Sequence, residues 1–341
     1  MLNRILTSIT HRVIELPILV LMPHSSCNCR CVMCDIWKAN KQKHELSTED
    51  IQNHIESFKK LMVKRVALSG GEALMHNNLW KLCGELKSIG IKISLLSTGL
   101  TLKQHAKNIL QYIDDVIVSI DGSPSVHNQI RNIPNAFEKL QLGVAELRRL
   151  DTNFRITGRC VLQKLNHHDI LNIIATAKSL QLNQISFLPA DVSSEAFNRP
   201  DGWDDERVSD VALTLNEIQV IEKLVIKSFD KCTIDYKTKF VAESPKKMQA
   251  IVDYYKAILG KKAFPAKKCN APWVSAVVEA DGEVRPCFFH PSYGNILKQN
   301  FSDVINSPKA IAFRKNLDVK KHATCVRCVC SLHVGVMKSS Y

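Results

Sequence analysis

From residue 16 to about 190 the chain alternates short, almost wholly apolar runs with longer segments whose apolar residues recur every three or four positions. The short runs are ELPILVLM, RVALSG, KISLLSTG, DVIVSID, FRITGRCVL and NQISFLP, and their length and β-branched content predict buried strands. Helical periodicity between them predicts helices near 47–61, 77–89, 102–112, 134–150 and 168–180, the first opened by the capping sequence STED. Six strand–helix repeats predict a parallel sheet with right-handed crossovers, either a partial barrel or an open doubly wound sheet. Both arrangements gather ligands at the carboxyl ends of the strands.

After LPADVSS the pattern breaks into the polar stretch SSEAFNRPDGWDDERVSD, a loop or lid in which Trp203, Asp204, Asp205 and Glu206 read as an exposed acidic segment. Helical periodicity returns over 213–229 and 245–260. From about 266, WVSAVVEADGEVRPCFF reads as two short strands around an Asp-Gly turn, flanked by cysteines. Ahead of the first strand, Leu2, Ile5, Leu6, Ile9 and Val13 share one helical face, which predicts a short capping helix in preference to a membrane-surface anchor. The expected organisation is a capping helix over 1–15, an α/β core over 16–200, a helical linker or lid over 201–265 and a small α+β unit over 266–341.

A hydrophobic share of 45% over 341 residues supports a large core plus an appendage. The net charge is +13, yet Lys and Arg recur throughout instead of forming a block, and aromatic residues make up only 6%. A solvated basic surface, or attraction to an anionic substrate, fits this better than nucleic-acid binding. The run VIELPILVLM is broken by Glu15 and Pro17 and is about half a membrane span long, so neither a signal peptide nor a span is expected. Twelve cysteines without a cleavable signal point to a reducing, cytoplasmic setting and to metal chemistry in preference to disulfides.

Four of those cysteines fall in CNCRCVMC, just after the first strand. Cys27, Cys31 and Cys34 stand in CxxxCxxC spacing, so one loop can wrap three thiolates around a metal cluster. A structural zinc site is normally closed by four protein ligands, whereas three thiolates on a four-iron cluster leave one iron for an exchangeable ligand. Cys29 breaks the spacing and is the expected spare, inert or pointed away.

These residues resemble the cluster-binding signature of radical SAM enzymes, which use a reduced [4Fe-4S] cluster to cleave S-adenosylmethionine into methionine and a 5′-deoxyadenosyl radical. LSGGEALMH is similar to the family's Gly-Gly-Glu motif, which implies that Gly70, Gly71 and Glu72 bind the methionyl ammonium, with Ala73 where the family usually has proline. VSIDGSPSVHNQIRN resembles the segment after the fourth strand, which implies a contact of Ser119 with the cofactor's carboxylate or ribose and makes Arg131 a carboxylate partner. Asp121 and His127 lie on the same edge and are expected to face substrate, and Thr98 in LSTGL stands in for a usual Thr-Asn-Gly. The implied fold is a partial (βα)6 TIM-like barrel with a small C-terminal α+β iron-sulfur domain.

The second cysteine set comprises Cys269, Cys287, Cys325, Cys328 and Cys330, where two distant cysteines closed by a pair can form a four-thiolate site, of zinc or of iron and sulfur. DGEVRPC, with Gly282 ahead of Cys287, resembles the Gly-x-x-x-x-Cys element of the twitch and SPASM cluster domains. The resemblance implies a second [4Fe-4S] cluster on Cys269, Cys287, Cys325 and Cys328, with Cys330 as the alternative last ligand. Closed by four thiolates, such a cluster passes electrons or tunes potential instead of gripping substrate. Of the remaining cysteines, Cys83 is expected in the core, while Cys160, beside Arg159, and Cys232 are candidate hydrogen-atom donors or simply buried thiols.

The resemblance implies hydrogen abstraction from an unactivated carbon, with net oxidation of a small polar, carbohydrate-like metabolite as the leading expectation and an external donor such as flavodoxin or ferredoxin. Peptide crosslinking or epimerisation is the alternative. Only 26 residues precede Cys27, so no leader-peptide recognition domain is expected at that end, and a separate binding protein can supply one. A non-catalytic iron-sulfur or zinc protein is the reading from another class.

Overall fold

The computed structural model describes residues 2–335, so residue 1 and residues 336–341 of the two expected terminal units lie outside the described residues. Six parallel strands, β1 (Ile18–Leu21), β2 (Arg65–Leu68), β3 (Lys92–Ser97), β4 (Asp115–Ser119), β5 (Arg155–Leu162) and β6 (Gln184–Pro189), follow one another in both sequence and space. This is a partial TIM-like barrel. On β1, β2 and β4 burial alternates strictly, because one face of a strand meets the helix layer while the other lines the lumen. At the amino end the lumen is closed by Arg65, which pairs with Asp115 at 2.5 Å and donates to Ser94 Oγ.

The C-terminal unit is built onto this sheet, not beside it. β7 (Ser275–Val278) pairs parallel with β1, and β8 (Glu283–Arg285) and β9 (Gly294–Asn295) continue antiparallel, giving a nine-stranded order β6-β5-β4-β3-β2-β1-β7-β8-β9. The expected strand pair around Asp281-Gly282 is β7 and β8. Gly282 takes φ +86° there, and an added Cβ would meet Asn295 Oδ1 at 2.6 Å.

Several elements depart from the sequence reading. The helix expected over 47–61 is two, Thr48–Gln52 and Ile55–Lys60, because the ring of buried His54 between them bonds to Ile296 O and Phe301 N of the C-terminal unit. An unanticipated helix, Pro124–Arg131, opens on proline and ends at Asn132 in the left-handed region. The N-terminal helix, Leu2–Thr10, docks through its polar side: Arg4 pairs with Glu15 at 2.8 Å and donates to Gly335 O, while Leu2 and Ile9 are 67% and 70% exposed. Among the described residues no helix is long and apolar enough to cross a membrane.

The stretch expected as an exposed acidic loop is anchored. Asp204 caps the helix Asp205–Val211 by accepting from Arg207 N, and Asp205 and Glu206 fill its first turn, where the helix dipole favours acids. Trp203 is half-buried: its Nε1 donates to Asp35 Oδ2 at 2.8 Å, and its ring lies under Arg199 and Arg207 at 4.5 and 4.8 Å. Arg199 is itself buried on Asp191, and Arg207 donates to Val32 O. The segment therefore covers the loop that carries Cys34.

Candidate functional site

The first cysteine loop leaves β1 and is fixed by backbone contacts before its thiols are considered. Asn40 receives Cys27 N and donates to Cys27 O, both at 2.9 Å. Arg30 N and Val32 N donate to Arg131 O and Ile130 O, using carbonyls left over at the end of the helix Pro124–Arg131. Burial pushes the Cys27 thiol up to about 12 and the Cys34 thiol up to about 11. Cys31 moves the other way, lowered first by a hydrogen bond from the Cys29 thiol and then by Arg131, whose Nη1 lies 3.4 Å from Cys31 Sγ. Cys29 is thus not pointed away: it is buried, its backbone N donates to Cys27 Sγ at 3.5 Å, and its thiol faces Cys31. Buried thiols that resist ionisation become thiolates when a cationic guest displaces their protons, so Cys27, Cys31 and Cys34 fit an iron-sulfur cluster.

The Gly-Gly-Glu turn follows β2 and packs directly against this loop. Glu72 N donates to Ser26 O at 2.9 Å, and a Cβ on Gly71 would sit 2.0 Å from that same oxygen. Gly70 adopts φ +102°. The Glu72 carboxylate is wholly buried and accepts from Leu74 N, Ser97 Oγ, Thr98 N and Thr98 Oγ1 at 3.2, 3.1, 2.7 and 2.7 Å. Burial raises its pKa, and those four bonds oppose the rise. The carboxylate expected to pair with an ammonium is here the brace that ties the ends of β2 and β3. Thr98 is part of the same brace and touches Asn28 of the cysteine loop.

Ser119 ends β4 and is half-buried at the carboxyl edge of the sheet. Asp121 and His127, expected to face substrate, are fully buried. Asp121 Oδ2 accepts from Arg131 Nε at 2.6 Å, and Asp121 N donates to His127 Nδ1 at 3.3 Å. Arg131 is therefore a partner of the chain's own carboxylate and of Cys31. Burial lowers the pKa of His127 to about 4, which keeps the ring neutral.

Cys269, Cys287, Cys325, Cys328 and Cys330 all line one cavity of about 760 Å³, which also reaches Val20, Arg159 and Val277 of the barrel lumen. Burial pushes Cys287 up to about 12 and Cys325 up to about 11. Lys267 is lowered by burial and held up by Cys328, Cys330, Cys325 and Cys269, so an ammonium stands beside this set. Cys330 N donates to Cys328 Sγ at 3.3 Å. The donor set fits a closed four-thiolate cluster. Four cations, Arg159, Lys247, Lys267 and Lys268, line the cavity against the single carboxylate of Glu243.

The two candidate hydrogen donors stand elsewhere. Cys160 is wholly buried on the helix side of β5, against Asn166 Nδ2 at 3.6 Å, while its neighbour Arg159 takes the lumen side. Cys232 ends the helix Leu215–Lys231 on the outer layer. Neither lines the cavity. Cys83 is core, as expected. Asn40, Asp35 and Arg199, which shape the first loop, carry no local sequence signal, since each acts on a partner fixed only by the fold.

Known proteins converge on the same two halves. An AdoMet-dependent heme synthase of Methanosarcina barkeri is 25% identical over 86% of this chain and 82% of that protein. A PqqA peptide cyclase of Rhizobium meliloti is 27% identical over 85% of this chain and 72% of that protein. The fold matches the crystal structure of Streptococcus suis SuiB bound to precursor peptide SuiA with a TM-score of 0.67 at 13% identity, over 95% of this chain and 73% of that one. Residues 21–177 match the radical SAM superfamily and residues 269–329 match SPASM, an iron-sulfur cluster-binding domain. Covering most of the barrel with its cysteine loop and then Cys269 to Cys328 of the C-terminal set, these matches place the chain in the radical SAM superfamily, as a member with a SPASM-type C-terminal domain.

Proposed function

We propose that the enzyme abstracts hydrogen from an unactivated carbon of a small, polar, carbohydrate-like metabolite bearing an anionic group, in a net oxidation. The observation that carries this reading is the charge of the cavity beside the second cysteine set, which four cations and one carboxylate line. A cluster on Cys27, Cys31 and Cys34 supplies the electron that cleaves S-adenosylmethionine and, with it, the abstracting radical. The chain's own part is to orient and to exclude water. Gly70 and Gly71 offer backbone carbonyls to the cofactor ammonium, and Ser119 offers a hydroxyl to its carboxylate or ribose. Glu72 and Thr98 hold that turn against the cysteine loop. Arg131 steadies Cys31 from behind. Arg159 projects from β5 into the cavity and meets the anionic group of the substrate. Cys269, Cys287, Cys325 and Cys328 on the wall of the same cavity would hold a second cluster, which would supply the acceptor for the electron that a net oxidation releases.

The test uses anaerobically reconstituted enzyme with a flavodoxin or ferredoxin donor, reading 5′-deoxyadenosine. Metabolite fractions retained on an anion exchanger should raise its formation over the uncoupled rate, and Arg159→Gln should lower that gain at least tenfold. Stimulation by neutral metabolites or peptides alone overturns the reading. Peptide modification stays the second reading, since the PqqA peptide cyclase of Rhizobium meliloti aligns over 85% of the chain.

A further inference from the structure

Within the C-terminal unit, His290, His322 and Cys325 bring one ligand atom each to within 4.8 Å of one another. Two pieces of chain supply them: the loop after β8 carries His290, and the helix Ala323–Arg327 carries Cys325, with His322 as its capping residue. His290 is 3% exposed, held edge-on between the rings of Phe313 and His322 at 5.0 and 4.8 Å. Its Nε2 lies 3.2 Å from Cys325 Sγ. Around a tetrahedral ion with bonds of about 2.0–2.3 Å, ligand atoms stand roughly 3.3–3.8 Å apart. A small movement of exposed His322 therefore closes the set, while buried His290 is already in place. Two imidazoles and one thiolate form a donor set matched to zinc. A second cavity, of about 680 Å³, is lined by His290, His322 and Cys328 and leaves room for a fourth ligand.

We propose that His290, His322 and Cys325 form a zinc site that shares Cys325 with the four-thiolate set, so the C-terminal unit holds either a cluster or a zinc ion. Loading is ligand exchange without electron transfer: Cys325 gives its proton to solvent, a Zn–S bond replaces the S–H bond, and each imidazole donates a lone pair. A closed cluster needs the same sulfur, which makes the two loadings exclusive. The exclusivity rests on the reading of Cys325 as a cluster ligand, whereas zinc binding by the trio does not.

The test starts from full-length protein stripped of metal under anaerobic conditions, with Cys27, Cys31 and Cys34 replaced by alanine to silence the first loop. Zinc is titrated against a chelator, with cobalt as the spectroscopic probe, and circular dichroism verifies that each variant is folded. One ion per chain with a thiolate-to-cobalt band is expected. His290→Ala and His322→Ala should each weaken binding at least tenfold, while Cys269→Ala and Cys287→Ala leave it unchanged. The opposite pattern places the ion in the four-cysteine set and overturns the site, as does the absence of tight binding. In the wild-type chain, zinc added before reconstitution should lower iron from about eight to about four per chain, the content of one [4Fe-4S] cluster. Full iron uptake after zinc loading overturns the exclusivity. None of these readouts uses S-adenosylmethionine cleavage, so their failure leaves the proposed reaction standing.

Discussion

Gly71 is a residue whose identity is dictated by a single backbone oxygen. With Ser26 O 2.0 Å from where a Cβ would sit, Gly71→Ala has to push the cysteine loop away from the turn. The expected result is loss of the S-adenosylmethionine-dependent change in the paramagnetic resonance signal, with the C-terminal iron retained. Cys29 is the opposite case, a residue the spacing marks as surplus and the fold turns toward Cys31. Hydrogen bonds to cluster sulfurs tune the potential. Cys29→Ala should therefore keep full iron content and shift the first cluster's midpoint to more negative values, as potentiometric titration would show, whereas loss of iron would make Cys29 a ligand. The spacing of Cys27, Cys31 and Cys34 was legible because one short loop contains it. The inward turn of Glu72 and the pairing of Asp121 with Arg131 were not, because rotamers and distant partners leave no local trace.

At the scale of elements, the strands were legible because burial imposes short, continuous apolar runs. The helices beside the site were less so. Pro124–Arg131 has only eight residues, and the break at His54 depends on contacts with residues 296 and 301, far along the chain. The segment before Asp205–Val211 shows acidic side chains in the sequence, yet its contacts come from Trp203, Arg199 and Arg207. Trp203→Ala removes a hydrogen bond to a carboxylate and two cation–π contacts, a loss of about 1–3 kcal/mol. Its effect should be local: faster hydrogen exchange and proteolysis over 191–211 and over the cysteine loop, with little change in the midpoint of global unfolding.

At the scale of the molecule, acid sensitivity has an identifiable source. His127 has a folded pKa of about 4, below its ordinary 6.5, because burial opposes its charge. Its contribution is complete above pH 6.5, where neither state binds the proton. As pH falls from 6.5 toward 4 the unfolded chain takes up a proton that the native chain refuses, so stability declines by up to a few kcal/mol. Urea midpoints at pH 7.5 and 5.0 should differ in that direction, and His127→Gln should narrow the difference without abolishing it, since burial also lowers His290 to about 4. The barrel itself was legible from its repeat. The junction of the two halves was not, since nothing in the sequence of β7 names β1 as its neighbour.

That junction sets a timetable for synthesis. β1 is the first strand to leave the ribosome, and the strand that covers its outer edge begins at residue 275. At about 5–20 residues per second, the interval between Leu21 and Ser275 lasts roughly 13–50 s, during which one edge of the nascent sheet offers unpaired backbone groups to any passing strand. The chain's reliance on chaperones should be concentrated in that window, and a truncation ending before residue 275 should aggregate while the full-length chain does not.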